Sequence, residues 1–161
     1  MRKLAICSLM LLTAPLSAKE SLGVFSGWAA FRDPSVPRCY AISEAAPSPL
    51  SRDYRPYATI ASWPARRIGG QVHLRLSREL RPATRVTLRV GRTSFALTPG
   101  KADAWARDPA MDRAIIDALR KSDRMTVFAI DKRGRRFSNT FALEGAASAV
   151  DAAALACRRN P

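Results

Sequence analysis

Residues 85–98 constrain the fold of this 161-residue chain more than any other stretch. Gly91 and Arg92 read as a two-residue turn with glycine at its first central position, the signature of a type II′ hairpin. Folding the segment about that turn sets Val90 opposite Thr93, Leu88 opposite Phe95 and Val86 opposite Leu97. The same register sets Arg89 opposite Ser94 and Thr87 opposite Ala96 on the other surface. Every large apolar side chain then falls on one face, as a half-buried antiparallel sheet requires.

Other segments extend that architecture. Strands are predicted near residues 26–31 and 38–43, separated by Asp33-Pro34-Ser35-Val36-Pro37, where two prolines fix φ and remove backbone donors. Residues 57–63 are rich in β-branched and aromatic side chains. Residues 71–77 alternate, with Val72, Leu74 and Leu76 on one side and His73 and Arg75 on the other. A second hairpin is predicted over residues 125–143, its turn at Arg133-Gly134 placing Ile130 opposite Phe137 and Asp131 opposite Arg136. The proline-rich stretch over residues 46–56 reads as a loop within one domain.

Two helices follow late in the chain. Residues 109–121 carry Met111, Ile115, Ile116 and Leu119 at helical spacing, with Asp108 as N-cap and Pro109 at the first helical position. Asp112 and Asp117 lie five apart, about 500° around that helix, so they read as solubilising charges and not as a catalytic acid pair. Residues 146–158 present Ala146, Val150, Ala153 and Cys157 as a narrow small-residue face, with Arg158 and Arg159 at the end where cations are favoured. The expected fold is mostly β, α+β by count: a single-domain antiparallel β-sandwich or half-barrel with two late helices packed on it.

The N-terminus has the three parts of a secretory signal peptide, residues 1–18: Arg2 and Lys3, an apolar run from Leu4 to Leu12, and small residues ending at Ala18. That run is too short for a stable transmembrane anchor, and no later stretch approaches 18 uninterrupted apolar residues. Cys7 sits in a sequence superficially like that preceding a lipid-modified cysteine, but most of the apolar run follows it, so it is expected to be discarded with the signal. The mature chain, residues 19–161, is then expected in the periplasm or outside the cell. Cys39 and Cys157 remain, an even count in an oxidising compartment, which implies one disulfide. Losing Arg2 and Lys3 lowers the formal charge from +14 to +12.

Three features together resemble the invasion-associated locus B family of exported bacterial proteins: the signal peptide, the Trp28-containing strand followed by Arg38-Cys39-Tyr40-Ala41-Ile42-Ser43, and the closing run from Phe141-Ala142-Leu143-Glu144-Gly145 through Ala153. The resemblance implies an extracytoplasmic β-rich protein in which a late strand leads into a helix. One member of that family is linked to invasion of host cells. This chain departs from the family in placing Cys157 near its end and in its arginine content, so the resemblance is used for fold and compartment.

The chemistry legible in the residues is that of a surface, not of a catalytic centre. A single histidine, His73, has no partners at metal-ligand spacing, and no nucleophile elbow, phosphate loop or zinc motif occurs. No catalytic residue, metal or cofactor is therefore expected. Trp28, Trp63, Trp105, Tyr40, Tyr54 and Tyr57 serve packing or, at Tyr54 and Tyr57 beside Arg52 and Arg55, stacking against anionic sugars. The basic side chains are 22 Arg and 5 Lys, beside 28 Ala, a joint bias that high-GC codon usage also produces. Alternation places His73, Arg75, Arg85 and Arg89 on the non-core side of two consecutive strands, and they form one patch if those strands pair. Arginine patches bind phosphate and carboxylate in a bidentate manner. The expected ligand is an anionic envelope component, such as lipopolysaccharide, phospholipid or polysaccharide, and not a specific nucleic acid. An extracytoplasmic enzyme of unrecognised type is the alternative.

Overall fold

In the computed structural model, which describes residues 18–159, every strand is paired antiparallel and the apolar positions of the alternating segments converge on one face. The elements run β1 (Glu20–Phe25), β2 (Trp28–Asp33), β3 (Arg38–Glu44), β4 (Tyr57–Trp63), β5 (Ile68–Arg75), β6 (Val86–Val90), β7 (Thr93–Pro99), β8 (Asp103–Trp105), α1 (Pro109–Leu119), β9 (Arg124–Ile130), β10 (Arg136–Ala142) and α2 (Ala146–Arg159). They form one ten-stranded sheet in the order β1-β2-β3-β4-β5-β8-β7-β6-β9-β10. The expected mostly β fold with two late helices is the fold observed. The signal-peptide reading and Cys7 lie outside the described residues, apart from Ala18 at their boundary.

The 85–98 hairpin has the register its side chains demanded: Val90 pairs with Thr93, Leu88 with Phe95 and Val86 with Leu97. Gly91 has φ +55° and Arg92 has no positive φ, which matches a turn that needs glycine only at its first central position. Val86, Leu88 and Val90 join Val72, Leu74, Val127 and Phe141 in the core. The sheet curls until its two ends meet. Trp28, fully buried near one end, donates its indole N–H to the carbonyl of Ala142 at the other (2.8 Å). Ala46, just past β3, donates its backbone N–H to Thr140 of β10 (2.8 Å). The two helices fill the concave side, α2 against β1 to β4 and α1 against β5.

α1 begins as its sequence indicates, with the Asp108 side chain accepting from the Met111 backbone N–H (2.8 Å) and Pro109 following. α2 lays Ala146, Ala149, Val150 and Ala153 on the sheet, and Cys157 closes a disulfide with Cys39 across a sequence separation of 118 residues.

Four expectations are corrected. The strand expected at 26–31 starts at Trp28, because Ser26 and Gly27 form the turn of a hairpin with an unanticipated partner, β1. The strand expected at 71–77 ends at Arg75, and the Ser77 backbone instead donates to buried Asn139 (3.0 Å). The second hairpin is offset by one residue: Ile130 pairs with Arg136 and Ala129 with Phe137. Asp131 is the cause, since its carboxylate turns inward to accept from the Arg133 and Arg135 backbone N–H groups and from the buried Arg78 guanidinium. Asp112 is not a solubilising charge. It is buried, and its Oδ1 accepts the Val72 backbone N–H at 2.8 Å. Asp117 is exposed, as expected.

Candidate anion-binding site

The four residues expected to form one patch occupy two places. β5 and β6 do not pair, because β8 and β7 lie between them. The reason is that β7 continues into a turn and a short strand, β8, whose Asp103–Trp105 segment pairs with both β5 and β7.

On β5 the positive charge is consumed internally. His73 Nε2 lies 2.9 Å from Asp103 Oδ1, and Arg75 donates to Asp103 Oδ2 at 2.7 Å. The imidazole stacks on Trp105 with centroids 5.2 Å apart, and the Arg75 guanidinium lies over the Tyr54 ring at 4.5 Å. The Tyr54 hydroxyl donates to Glu79 (2.9 Å), which Lys132 and Lys101 also hold. Those three donors, Lys132 first, bring the Glu79 carboxyl down to about 2. The aromatic faces at Tyr54 and Trp105 are therefore covered by the protein's own groups. Thr59 Oγ1 lies 3.4 Å from His73 Nδ1, which completes a hydroxyl, imidazole and carboxylate row. Thr59 is paired on both sides, with Ile42 and with His73, so its backbone donor belongs to the ladder and is not free to hold an oxyanion. Among the described residues no three metal-ligating side chains converge.

On β6 the charge is free. Arg85 and Arg89 project to solvent from the outer face, and the Arg89 guanidinium rests 5.0 Å from the Phe128 ring centroid. Arg89 also lines a pocket of about 580 Å³ at the end of the sheet, where the β6–β7 turn meets the segment linking α1 to β9. Arg92, Lys121 and Arg124 line the same pocket, with Thr93, Ser122 and Thr126 supplying hydroxyls and Asp123 the one carboxylate. Each position has a local cause. Arg92 is the second turn residue, Lys121 follows the C-terminus of α1, and Arg124 opens β9, whose Thr126 pairs with Arg89. A shallower depression of about 290 Å³ lies between Arg85 and Arg136, with exposed Phe128 in its lining.

Among the described residues none of Arg85, Arg89, Arg92, Lys121, Arg124 or Arg136 has a carboxylate within ion-pair distance, whereas Arg75, Arg78, Arg120 and Lys132 each do. Unpaired guanidinium groups around one concavity match the chemistry of phosphate or carboxylate recognition. Arg92, Lys121 and Arg124 escape a reading of the sequence because they come from a turn, a helix end and a strand start. Arg92 is placed beside Arg89 by the hairpin turn, whereas only the pairing of β6 with β9 brings Lys121 and Arg124 there. Compared with family models, with curated proteins and with solved structures, the chain matches none.

Proposed function

We propose that this is an exported, non-enzymatic interaction protein that binds an anionic component of the cell envelope through the basic end of its sheet. One observation carries the reading: Arg89, Arg92, Lys121 and Arg124 surround a single pocket and have no ion-pair partner among the described residues. Four like charges gathered beside a single carboxylate, Asp123, repel one another, and an anion in the pocket relieves that repulsion. Export is supported by the signal-like N-terminus, by the Cys39–Cys157 disulfide and by the resemblance to the invasion-associated locus B family. Among the described residues no helix is long and apolar enough to cross a membrane.

Retention of the pure protein on lipopolysaccharide, anionic phospholipid vesicles and acidic polysaccharide, at low and high salt, tests this reading. Wild type is expected to be retained by at least one of them at low salt and released at high salt, because exposed charges are screened beyond about 8–10 Å. Arg89→Glu with Arg124→Glu is expected to lose retention. Arg75→Gln is expected to keep it, since Asp103 already neutralises Arg75. Equal retention of wild type and the folded double variant overturns the proposal.

A further inference from the structure

We propose that the groove between the two helices is a second binding site, which takes a single-chain anionic amphiphile with its alkyl chain on the apolar floor and its head group on an arginine rim. The groove, about 590 Å³, opens between α1, α2 and the corner joining β4 to β5. Ile60, Ile68, Ile116, Val150 and Ala153 form its apolar surface. Two local features keep it open. Gly69 and Gly70 bring backbone without side chains to one wall, and a β-carbon at Gly70 would lie 2.9 Å from the Ile116 side chain on the floor. On the opposite wall α2 presents Ala153 and Ala154, too short to reach across.

The rim decides the ligand's charge. Arg67, Arg120 and Arg158 line the groove against one carboxylate, Asp151. Arg120 donates to both oxygens of Asp151, which neutralises that pair. Arg67 and Arg158 remain exposed at the mouth, a net excess of two positive charges in the lining. An apolar concavity of a few hundred Å³ with a few charged groups at one end suits an amphiphile. Here the charge complementarity selects an anionic head, carboxylate or phosphate, that a guanidinium pairs in a bidentate manner. The groove shares no lining residue with the basic pocket, so this inference does not rest on the function proposed above.

The test is titration of the full, oxidised protein with decanoate, dodecanoate, tetradecanoate, dodecyl phosphate and dodecyl maltoside, each below its micellar concentration. Affinity is expected to rise by up to about fourfold per methylene until the groove is filled. The anionic dodecyl ligands are expected to bind at least about tenfold more tightly than the maltoside, in line with charge-assisted pairing. Binding of dodecanoate or of dodecyl phosphate supports the proposal, and their ratio distinguishes a carboxylate head group from a phosphate head group. Ala154→Trp and, as a second way of filling the groove, Ile116→Trp on the α1 side are expected to abolish binding with the melting temperature preserved. Arg67→Gly keeps the left-handed backbone at that position (φ +55°) and is expected to weaken anionic ligands only. Arg89→Glu with Arg124→Glu is expected to change nothing here. Affinity independent of chain length, maltoside binding as tight as dodecanoate, or a dimer that Ala154→Trp dissolves would each overturn the proposal, the last by assigning the groove to a second copy of the chain.

Discussion

Asp112 lies on the first turns of α1, where helical spacing alone places it among solvated charges, yet its carboxylate extends the sheet. β8 ends opposite His73, so the next N–H on that edge, at Val72, has no strand to receive it and donates to a helix side chain instead. Burial raises the Asp112 carboxyl above its ordinary value, outweighing the Val72 hydrogen bond that favours ionisation. A carboxyl raised in the folded state contributes stability that is present at low pH and lost as pH rises through its folded value. Asp112→Asn keeps an acceptor for Val72 and cannot ionise. Its stability relative to wild type is therefore expected to increase as pH rises from about 3 to 7, measured by thermal melts across that range. A difference that stays constant with pH would contradict this account. Asp131 shows the opposite balance: burial raises it, but the Arg135 backbone, Arg78 and Arg135 donors together hold it far below the usual carboxylate range.

The two hairpins show what a turn can and cannot specify. In β6–β7 the two-residue turn at Gly91-Arg92 determines the register, because only one pairing buries Val86, Leu88, Phe95 and Leu97 together. In β9–β10 the loop is set by Asp131, whose inward carboxylate depends on Arg78, 53 residues away. No local pattern announces that contact. Connecting glycines differ in the same way. A β-carbon at Gly91 would lie 2.5 Å from the Ser122 hydroxyl, which can rotate away, whereas one at Gly145 would overlap the Phe25 carbonyl oxygen deep inside van der Waals contact, and that backbone cannot rotate away. Both glycines have positive φ. Gly91→Ala is expected to cost about 1–2 kcal/mol of unfolding free energy, the usual penalty for a left-handed L-residue. Gly145→Ala is expected to cost about 3 kcal/mol or more, because overpacking against backbone adds to that penalty. Urea unfolding of both variants checks the order, and equal losses would show that the Phe25 contact is readily relieved.

The Cys39–Cys157 bridge ties the last helix to the third strand and encloses most of the described chain, with Cα atoms 5.7 Å apart. α2 otherwise holds the sheet through small residues, Ala146, Ala149 and Ala153, which bury little apolar area each. Chain-entropy reasoning gives a closure of this length up to about 4.7 kcal/mol, with realised values of about 2–4 kcal/mol. Cys39→Ala with Cys157→Ala is expected to lower the unfolding free energy by about that range, and reductant is expected to do the same to wild type. Denaturant melts with and without reductant measure it. Coincident curves would mean that α2 docks without the bridge.

The β-rich class, the 85–98 hairpin and its register, the Asp108 cap of α1, both late helices and, by counting cysteines, the disulfide are legible in the residues alone. These follow from short-range physics: side-chain alternation, turn chemistry and capping act over a few residues. Tertiary structure alone decided the strand order, and with it the separation of His73 and Arg75 from Arg85 and Arg89. It also decided that Asp103 neutralises Arg75 while Lys121 and Arg124 gather around Arg89. Alternation tells which face of a strand meets solvent, but the neighbour of that face is set by which strands pair, and β8, at three residues, is too short to carry an alternation of its own.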